Sequence, residues 1–251
     1  MKISVVINTF NSDRFLDQCL RSVEKFDEIV LCDMHSTDGT IAIAEKYGCR
    51  IVYHERTGIV EPARNYAIAQ AENEWVLVLD SDEVIPAALK DYLYRFAETA
   101  EARGYAALKM ARKNYFMGRF MHGDYPDYII RLIRRSKTFW PEQIHARPVI
   151  EGRVFTIPAR RRELAMEHLA NESVAARIAK TNQYTDKEMI RREGQDFSVG
   201  SAWLKCTWRF VRFYIVKGGF RDGKAGFAYA VLNAFYKFAT VAKLWERKAG
   251  A

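Results

Sequence analysis

Apolar positions fall in short bursts along the first hundred residues, and the period of each burst predicts an element. Ile3-Ser4-Val5-Val6-Ile7-Asn8 is β-branched and nearly continuous, the pattern of a strand covered on both faces. Over residues 13–26 the side chains of Phe15, Leu16, Cys19, Leu20 and Val23 recur at helical spacing and share one face. Glu28–Cys32 reads as a second strand, 38–47 as a helix stopped by Gly48, and 49–54 as a third strand. A helix over 61–71, the apolar run Trp75-Val76-Leu77-Val78-Leu79 and a helix from Pro86 to Ala102 complete the series. This alternation of strand and helix predicts a mostly parallel sheet flanked by helices, an α/β fold.

Beyond residue 104 the pattern changes. Tyr105–Met110, Ile129–Arg134, Pro148–Glu151 and Val154–Ile157 read as short strands separated by aromatic-rich loops. From Glu172 onward the periodicity is helical, over roughly 172–193, 199–216 and 225–246. Three stretches follow: an α/β half over 1–104, a less regular part of the same domain over 105–170, and a C-terminal helical extension over 171–251. The most apolar of these helical segments, Ala225–Tyr236, is too short before Lys237 to cross a bilayer, which takes about 20 residues.

Charge sharpens the division. Residues 1–100 carry 10 Lys/Arg against 17 Asp/Glu, whereas the remainder carries 29 against 14, so a net +8 chain hides an acidic half and a strongly basic one. Such asymmetry points the second half at an anionic partner. Over 203–245, Trp203, Trp208, Phe213, Phe227 and Trp245 interleave with Lys205, Arg209, Arg212, Lys217 and Lys243, a mixture suited to the headgroup region of an anionic membrane. No nucleic-acid motif is present. The four cysteines, Cys19, Cys32, Cys49 and Cys206, have no zinc or disulfide spacing and read as free thiols of a reducing compartment. The N-terminus reads as a first strand and not as a signal sequence, so the expected location is cytoplasmic.

Candidate chemistry gathers at strand ends. Asp80-Ser81-Asp82-Glu83 follows the buried run Trp75–Leu79, and carboxylates are costly there unless something positive neutralises them. Mg²⁺ or Mn²⁺ carrying a diphosphate would do so, since such ions take one or two carboxylates plus phosphate oxygens. Ligands of open α/β sheets sit beyond the carboxyl ends of the strands, where this cluster falls. Asn8-Thr9-Phe10-Asn11 ends the first strand and offers donors to a nucleotide. Asp33 ends the second, placed to accept from a base N–H or a ribose hydroxyl, with Asp38 in the Ser36–Thr40 turn reading as a helix cap. Arg64 opens the third helix, with the reach to pair with phosphate or to hold an acidic residue. No Gly-rich phosphate loop occurs, which argues against dehydrogenases and P-loop enzymes.

Taken in order, Ile3–Asn11, Asp33–Asp38, Arg64-Asn65 and Asp80–Glu83 resemble family 2 glycosyltransferases, which have the GT-A fold and transfer sugars from nucleotide donors with inversion. Arg112–Phe116, His122-Gly123, Tyr125–Tyr128, Arg131–Arg135, His168 and Lys243–Glu246 extend the resemblance to the bacterial subgroup related to lipopolysaccharide-core β-glucosyltransferases. It implies that Thr9, Asn11, Asp33, Arg64 and Asp80 bind the nucleotide. Asp82 would be the principal metal ligand, with His168 closing the site on the metal or diphosphate. The implied donor is a UDP-sugar, the acceptor a lipopolysaccharide-core or other glycolipid, and the location the inner face of the bacterial cytoplasmic membrane. One departure matters: Ile144-His145-Ala146-Arg147 places alanine where relatives tend to carry the glutamate of a His-Glu pair. Inversion needs a base for the acceptor hydroxyl. Asp127 is favoured, because an aromatic loop raises a carboxylate's proton affinity, then His145, with Glu142 also in reach of the role. Two other functions fit the residues less well: a sugar-nucleotide nucleotidyltransferase, and a degenerate membrane-docking protein without catalysis.

Overall fold

The computed structural model describes residues 1–56, 60–142 and 147–250. The chain divides into two compact units: Met1–Arg112 with Pro126–Leu169, and Lys113–Tyr125 with Ala170–Ala251.

In the first unit the expected alternation is present. In chain order the elements are β1 (Ile3–Thr9), α1 (Asp13–Val23), β2 (Glu28–Asp33), α2 (Thr40–Lys46), β3 (Arg50–Tyr53) and α3 (Glu61–Ala69). Next come β4 (Trp75–Asp80), β5 (Glu83–Val84), α4 (Ala87–Ala100) and β6 (Tyr105–Phe116), whose last residues belong to the second unit. Strands β1 to β4 lie parallel in the order β3-β2-β1-β4. The period-2 rule sets the packing. Ile3, Val5, Ile7, Trp75, Leu77 and Leu79 fill the core on one sheet face with α1 and α4, while Val6, Val76 and Val78 meet Ala63, Ala67 and Ile68 of α3 on the other. Helix α1 buries Leu16, Cys19, Leu20 and Val23, the face expected of it.

Past β4 the sheet turns mixed. After β7 (Arg119–Phe120) comes β8 (Asp127–Arg134), which lies antiparallel between β4 and β6. β9 (Thr138–Phe139) and β10 (Val149–Ile150) form a separate two-stranded ladder, and β11 (Arg153–Thr156) runs parallel to β6. β12 (Met166–Glu172), a strand the sequence pattern does not predict, pairs antiparallel with β5 and sets His168 opposite Glu83. The β6–β8 register slips between Leu108 and Lys109, whose partners are Leu132 and Ile130, so Arg131 is the bulged residue. Bulges re-aim side chains next to functional sites.

The second unit is helical. α5 (Val174–Arg191) and α6 (Val199–Val211) both pack on α7 (Gly223–Lys248). The helix expected over 199–216 ends early, and Arg212–Val216 forms a π turn. Phe116, Met121, Phe213, Ala225 and Ala230 make this unit's core. Among the described residues no helix is long and apolar enough to cross a membrane. All four cysteines are free.

Candidate active site

The carboxyl ends of β2, β1 and β4 lie side by side, because Thr9 is in register with Asp33 and Asn8 with Asp80. The order β3-β2-β1-β4 reverses direction between β1 and β4, which makes this the switch point where open sheets bind ligands.

On the β1/β2 side, Asp33 is fully buried and works as the organiser of its loop. It accepts from Thr9 Oγ1 at 2.9 Å, from the Ser36 backbone N–H at 2.7 Å and from the Ser36 hydroxyl. Ser36 Oγ in turn accepts from Asn11 N at 2.9 Å, and Asn11 Oδ1 accepts from Thr37 N at 2.8 Å. Asn11 and His35 hold left-handed φ angles of 47° and 61° in these turns. Asp38 accepts from Thr40 N at 3.0 Å and Asp13 N at 3.1 Å, the first residues of α2 and α1, while Gly39 holds the N-cap position of α2.

On the β4 side the carboxylates are met by arginines. Arg64, from the first turn of α3, donates to Asp80 Oδ1 at 2.9 Å and stacks over Trp140, with 4.9 Å from its guanidinium carbon to the ring centroid. Asn65 beside it clamps the Trp140 backbone, donating to its carbonyl at 2.6 Å and accepting from its N–H at 2.9 Å. Arg131 is 1% exposed and bonds both Asp80 Oδ2 and Glu83 Oε1, the latter at 2.7 Å. Arg112 reaches Glu83 Oε1 at 3.0 Å and donates twice to Asp127 Oδ2, at 2.9 and 2.7 Å. Burial pushes the Asp80 carboxyl up, but Arg131 and Arg64 outweigh it and hold that group well below the usual carboxylate range. Burial likewise works against the Arg131 charge, and Asp80 and Glu83 more than restore it.

These residues open onto a cleft of about 460 Å³ whose walls include Arg64, Asp80, Arg112, Asp127, Arg131 and Trp140. Buried Arg64 Nε and Asn8 Oδ1 have no partner among the described residues. A buried polar atom left without a partner is rare, and a ligand group is one remedy.

Asp82 stands apart from that wall and faces His168, with Oδ2 and Nε2 3.2 Å apart. The Leu169 N–H donates to the Asp82 carbonyl at 2.8 Å, fixing β12 against the acidic turn. Both side chains are about a quarter exposed, so one carboxylate and one imidazole are offered together at an accessible point. This donor pair fits a divalent cation that takes its remaining ligands from phosphate and water, and the imidazole favours a transition ion over Mg²⁺. Among the described residues no group of three or more metal-ligating side chains is preassembled.

The structure therefore gathers Arg64, Asp80 and Asp127 on one cleft, Asp82 with His168, and Thr9, Asn11 and Asp33 at the adjoining strand ends. His145 and Ala146 lie outside the described residues, and Glu142 is exposed. The physical reason for favouring Asp127 changes. Its carboxylate meets the Arg112 guanidinium, not apolar rings alone. Sequence reasoning placed Glu83 in an acidic cluster met by a cation, whereas Arg112 and Arg131, to which it gave no site role, are its partners. One signal was available for Arg131, a charge inside the apolar run Ile129-Ile130-Arg131-Leu132-Ile133.

The sequence profile described as glycosyl transferase family 2 matches residues 4–168. The chain belongs to this family. Its architecture, a mostly parallel sheet flanked by helices with a C-terminal helical part, is the GT-A fold. A curated relative, the lipopolysaccharide core biosynthesis glycosyltransferase LpsC of Rhizobium meliloti, is 28% identical over 99% of this chain and 94% of its own length. Among solved structures, that of Staphylococcus aureus TarS residues 1–349 with UDP is 18% identical over 99% of this chain and 92% of its own, with a TM-score of 0.46. Glucosyl-3-phosphoglycerate synthase from Mycobacterium tuberculosis, with Mn²⁺, UDP and glucosyl-3-phosphoglycerate, is 23% identical over 45% of this chain and 44% of its own, with a TM-score of 0.40. The family 2 transferase thus has relatives that span nearly its whole length.

Proposed function

We propose that this family 2 transferase is an inverting, metal-dependent enzyme that moves a hexose from a UDP-sugar to a lipopolysaccharide-core or related glycolipid acceptor at the inner face of the bacterial cytoplasmic membrane. The observation that carries the reading is the switch-point crevice, where Asp80 is held ionised by Arg64 and Arg131 beside an accessible Asp82–His168 pair. The overall likeness to LpsC supports the acceptor class.

In this reading Thr9, Asn11 and Asp33 shape the nucleoside pocket, with Asp33 acting chiefly through the loop it pins. Arg64 stays positive beside the diphosphate. Asp82 and His168 would hold Mg²⁺ or Mn²⁺, which when bound stabilises charge on the departing diphosphate. Asp127 takes the proton of the acceptor hydroxyl as that oxygen bonds to the anomeric carbon and the bond to UDP breaks. Arg112 orients Asp127 for this step through two hydrogen bonds to one of its oxygens.

Membrane contact is supported by the second unit's surface. Trp203, Leu204, Trp208, Val216, Phe220 and Phe227 are all at least half exposed, interleaved with Lys205, Arg212, Lys217 and Lys224. Exposed apolar groups in that number among cations suit an anionic lipid surface.

The test is transfer of labelled hexose from a panel of UDP-sugars to lipopolysaccharide-core glycolipid, with and without Mn²⁺. Turnover is expected with one donor, and Asp82→Ala should lower it by at least ~100-fold, on the order of losing one major electrostatic stabiliser. No turnover with any donor, or full activity in the variant, overturns the reading.

A further inference from the structure

The second unit contains a cavity of about 220 Å³ that the donor chemistry does not use. It is lined by three cations, Arg209, Arg212 and Lys217, together with Asp124, Phe213, Tyr229 and Asn233. The aromatic wall is held on several sides. Phe213 packs on the Tyr229 ring at 4.7 Å between centroids, Phe116 meets it edge-on at 5.4 Å, and the Arg177 guanidinium lies 3.9 Å above it. The Tyr229 hydroxyl donates to Asp124 Oδ2 at 3.1 Å, and Asn114 reaches the same oxygen at 3.3 Å. Asp124 itself sits in a turn pinned by the fully buried Asp222 carboxylate, which accepts from His122 N at 2.9 Å and Gly123 N at 3.1 Å. A wall bound this tightly keeps its shape without a ligand.

The three cations are different in kind. Among the described residues no carboxylate forms an ion pair with Arg209, Arg212 or Lys217, and the one carboxylate of the cavity, Asp124, is engaged by Tyr229 and Asn114. Three cations therefore face a single acid. The field extends further: burial lowers the proton affinity of Lys237, and the charges of Arg192 and Arg209 lower it more. The backbone that carries Arg212 is the π turn Arg212–Val216, and such turns inside helices recur at functional sites. Around this segment in the chain, Trp208, Ile215, Val216 and Phe220 are exposed apolar side chains.

We infer that this cavity is a recognition site for the phosphate monoester of a phosphorylated sugar headgroup, with the neighbouring apolar side chains entering the lipid that carries it. Guanidinium groups match phosphate oxygens in number and geometry, while Asn233 and the Asp124–Tyr229 pair offer hydrogen bonds of the kind that hold sugar hydroxyls. The site would give the proposed glycolipid acceptor its own anchor, separate from the donor cleft. The identity of the ligand rests on the acceptor reading above, but the site's existence does not.

The test uses the full chain and calorimetric titration with glucose 6-phosphate and with glucose, each in saturating UDP so that the donor cleft is occupied. Glucose 6-phosphate is expected to bind and glucose not to. The double variant Arg212→Gln/Lys217→Gln should weaken that binding at least about tenfold, as expected for two lost charge-assisted hydrogen bonds, with UDP binding unchanged. Lys224→Gln, a cation of the same unit outside the cavity, should bind like the parent. Failure of glucose 6-phosphate to bind, equal binding by the double variant, or its displacement by UDP would each overturn the assignment. Titration with UDP on the same samples reports the donor reading separately. Vesicles doped with phosphatidic acid then identify the source. Retention of the bound sugar phosphate supports the sugar-headgroup assignment, and its displacement by the lipid phosphate would overturn it.

Discussion

Arg131 shows how one side chain ties stability to the site. Its guanidinium is sealed from water and shared between Asp80 and Glu83, the second of which is fully buried. Removing one partner of a buried pair leaves an uncompensated charge, so Arg131→Met should lower unfolding stability by about 3–5 kcal/mol. Denaturant titration checks this, and a loss under about 1 kcal/mol would mean that Arg64 and Arg112 neutralise the acids unaided. The Asp80 carboxyl gives a pH prediction. Its folded-state proton affinity is held below that of an unfolded aspartate, which titrates near ~3.9. Its stabilisation is therefore complete above that pH and is lost as pH falls through the folded value. The stability advantage of the parent over Asp80→Asn should be constant from neutral pH to about 5 and shrink in stronger acid, as thermal unfolding across pH would report. An advantage that grew in acid would reverse the sign and contradict the pairing. Asp80, Asp82 and Arg64 were legible in sequence because they sit at the ends of unambiguous elements. The Arg112–Asp127 and Arg131–Glu83 pairings were not: the first depends on the antiparallel register of β6 and β8, and the second joins residues 48 apart and depends on a bulge that no local pattern announces.

Elements differ in how plainly their sequences declare them. β1 and β4 are apolar runs buried along nearly their whole length, α1 carries one periodic buried face, and their expected and observed bounds nearly coincide. β12 reads Met-Glu-His-Leu-Ala-Asn-Glu, too polar to resemble a strand, and exists because it can add to β5 beside the acidic turn. The π turn after α6 was equally hidden, because the apolar spacing over 199–216 continues through it. Two glycines test the packing of the C-terminal helices. A Cβ on Gly226 of α7 would lie 1.9 Å from the Gly219 carbonyl oxygen and 2.8 Å from Asp222 Cβ, so Gly226→Ala should cost at least ~1–3 kcal/mol. Gly200, in the first turn of α6, has nothing within 4 Å of the same position. Gly200→Ala should therefore stabilise by up to about 1 kcal/mol through helix propensity alone. Denaturant unfolding of both variants decides the matter, and equal effects would contradict the close approach at Gly226.

At the scale of the whole molecule, charge and exposed apolar surface are segregated: an acidic N-terminal half and a basic, aromatic remainder. The asymmetry was plain in sequence, whereas which aromatics stay exposed was not, since Phe213 and Trp208 read alike but only Phe213 is buried. If the second unit docks on lipid, the double variant Trp203→Ser/Trp208→Ser should lower partitioning onto phosphatidylglycerol vesicles by about tenfold or more, roughly the loss of two buried aromatic contacts. Both residues are exposed, so folding should be unaffected, and undiminished partitioning would remove them from the docking surface. The central claim concerns the donor crevice, and its most direct test is calorimetric titration of the full chain with UDP, GDP and CMP, with and without Mn²⁺, alongside Asp82→Ala. The account predicts Mn²⁺-dependent binding of UDP that is lost in the variant. Binding of no nucleotide, or UDP binding indifferent to both Mn²⁺ and Asp82, would contradict it.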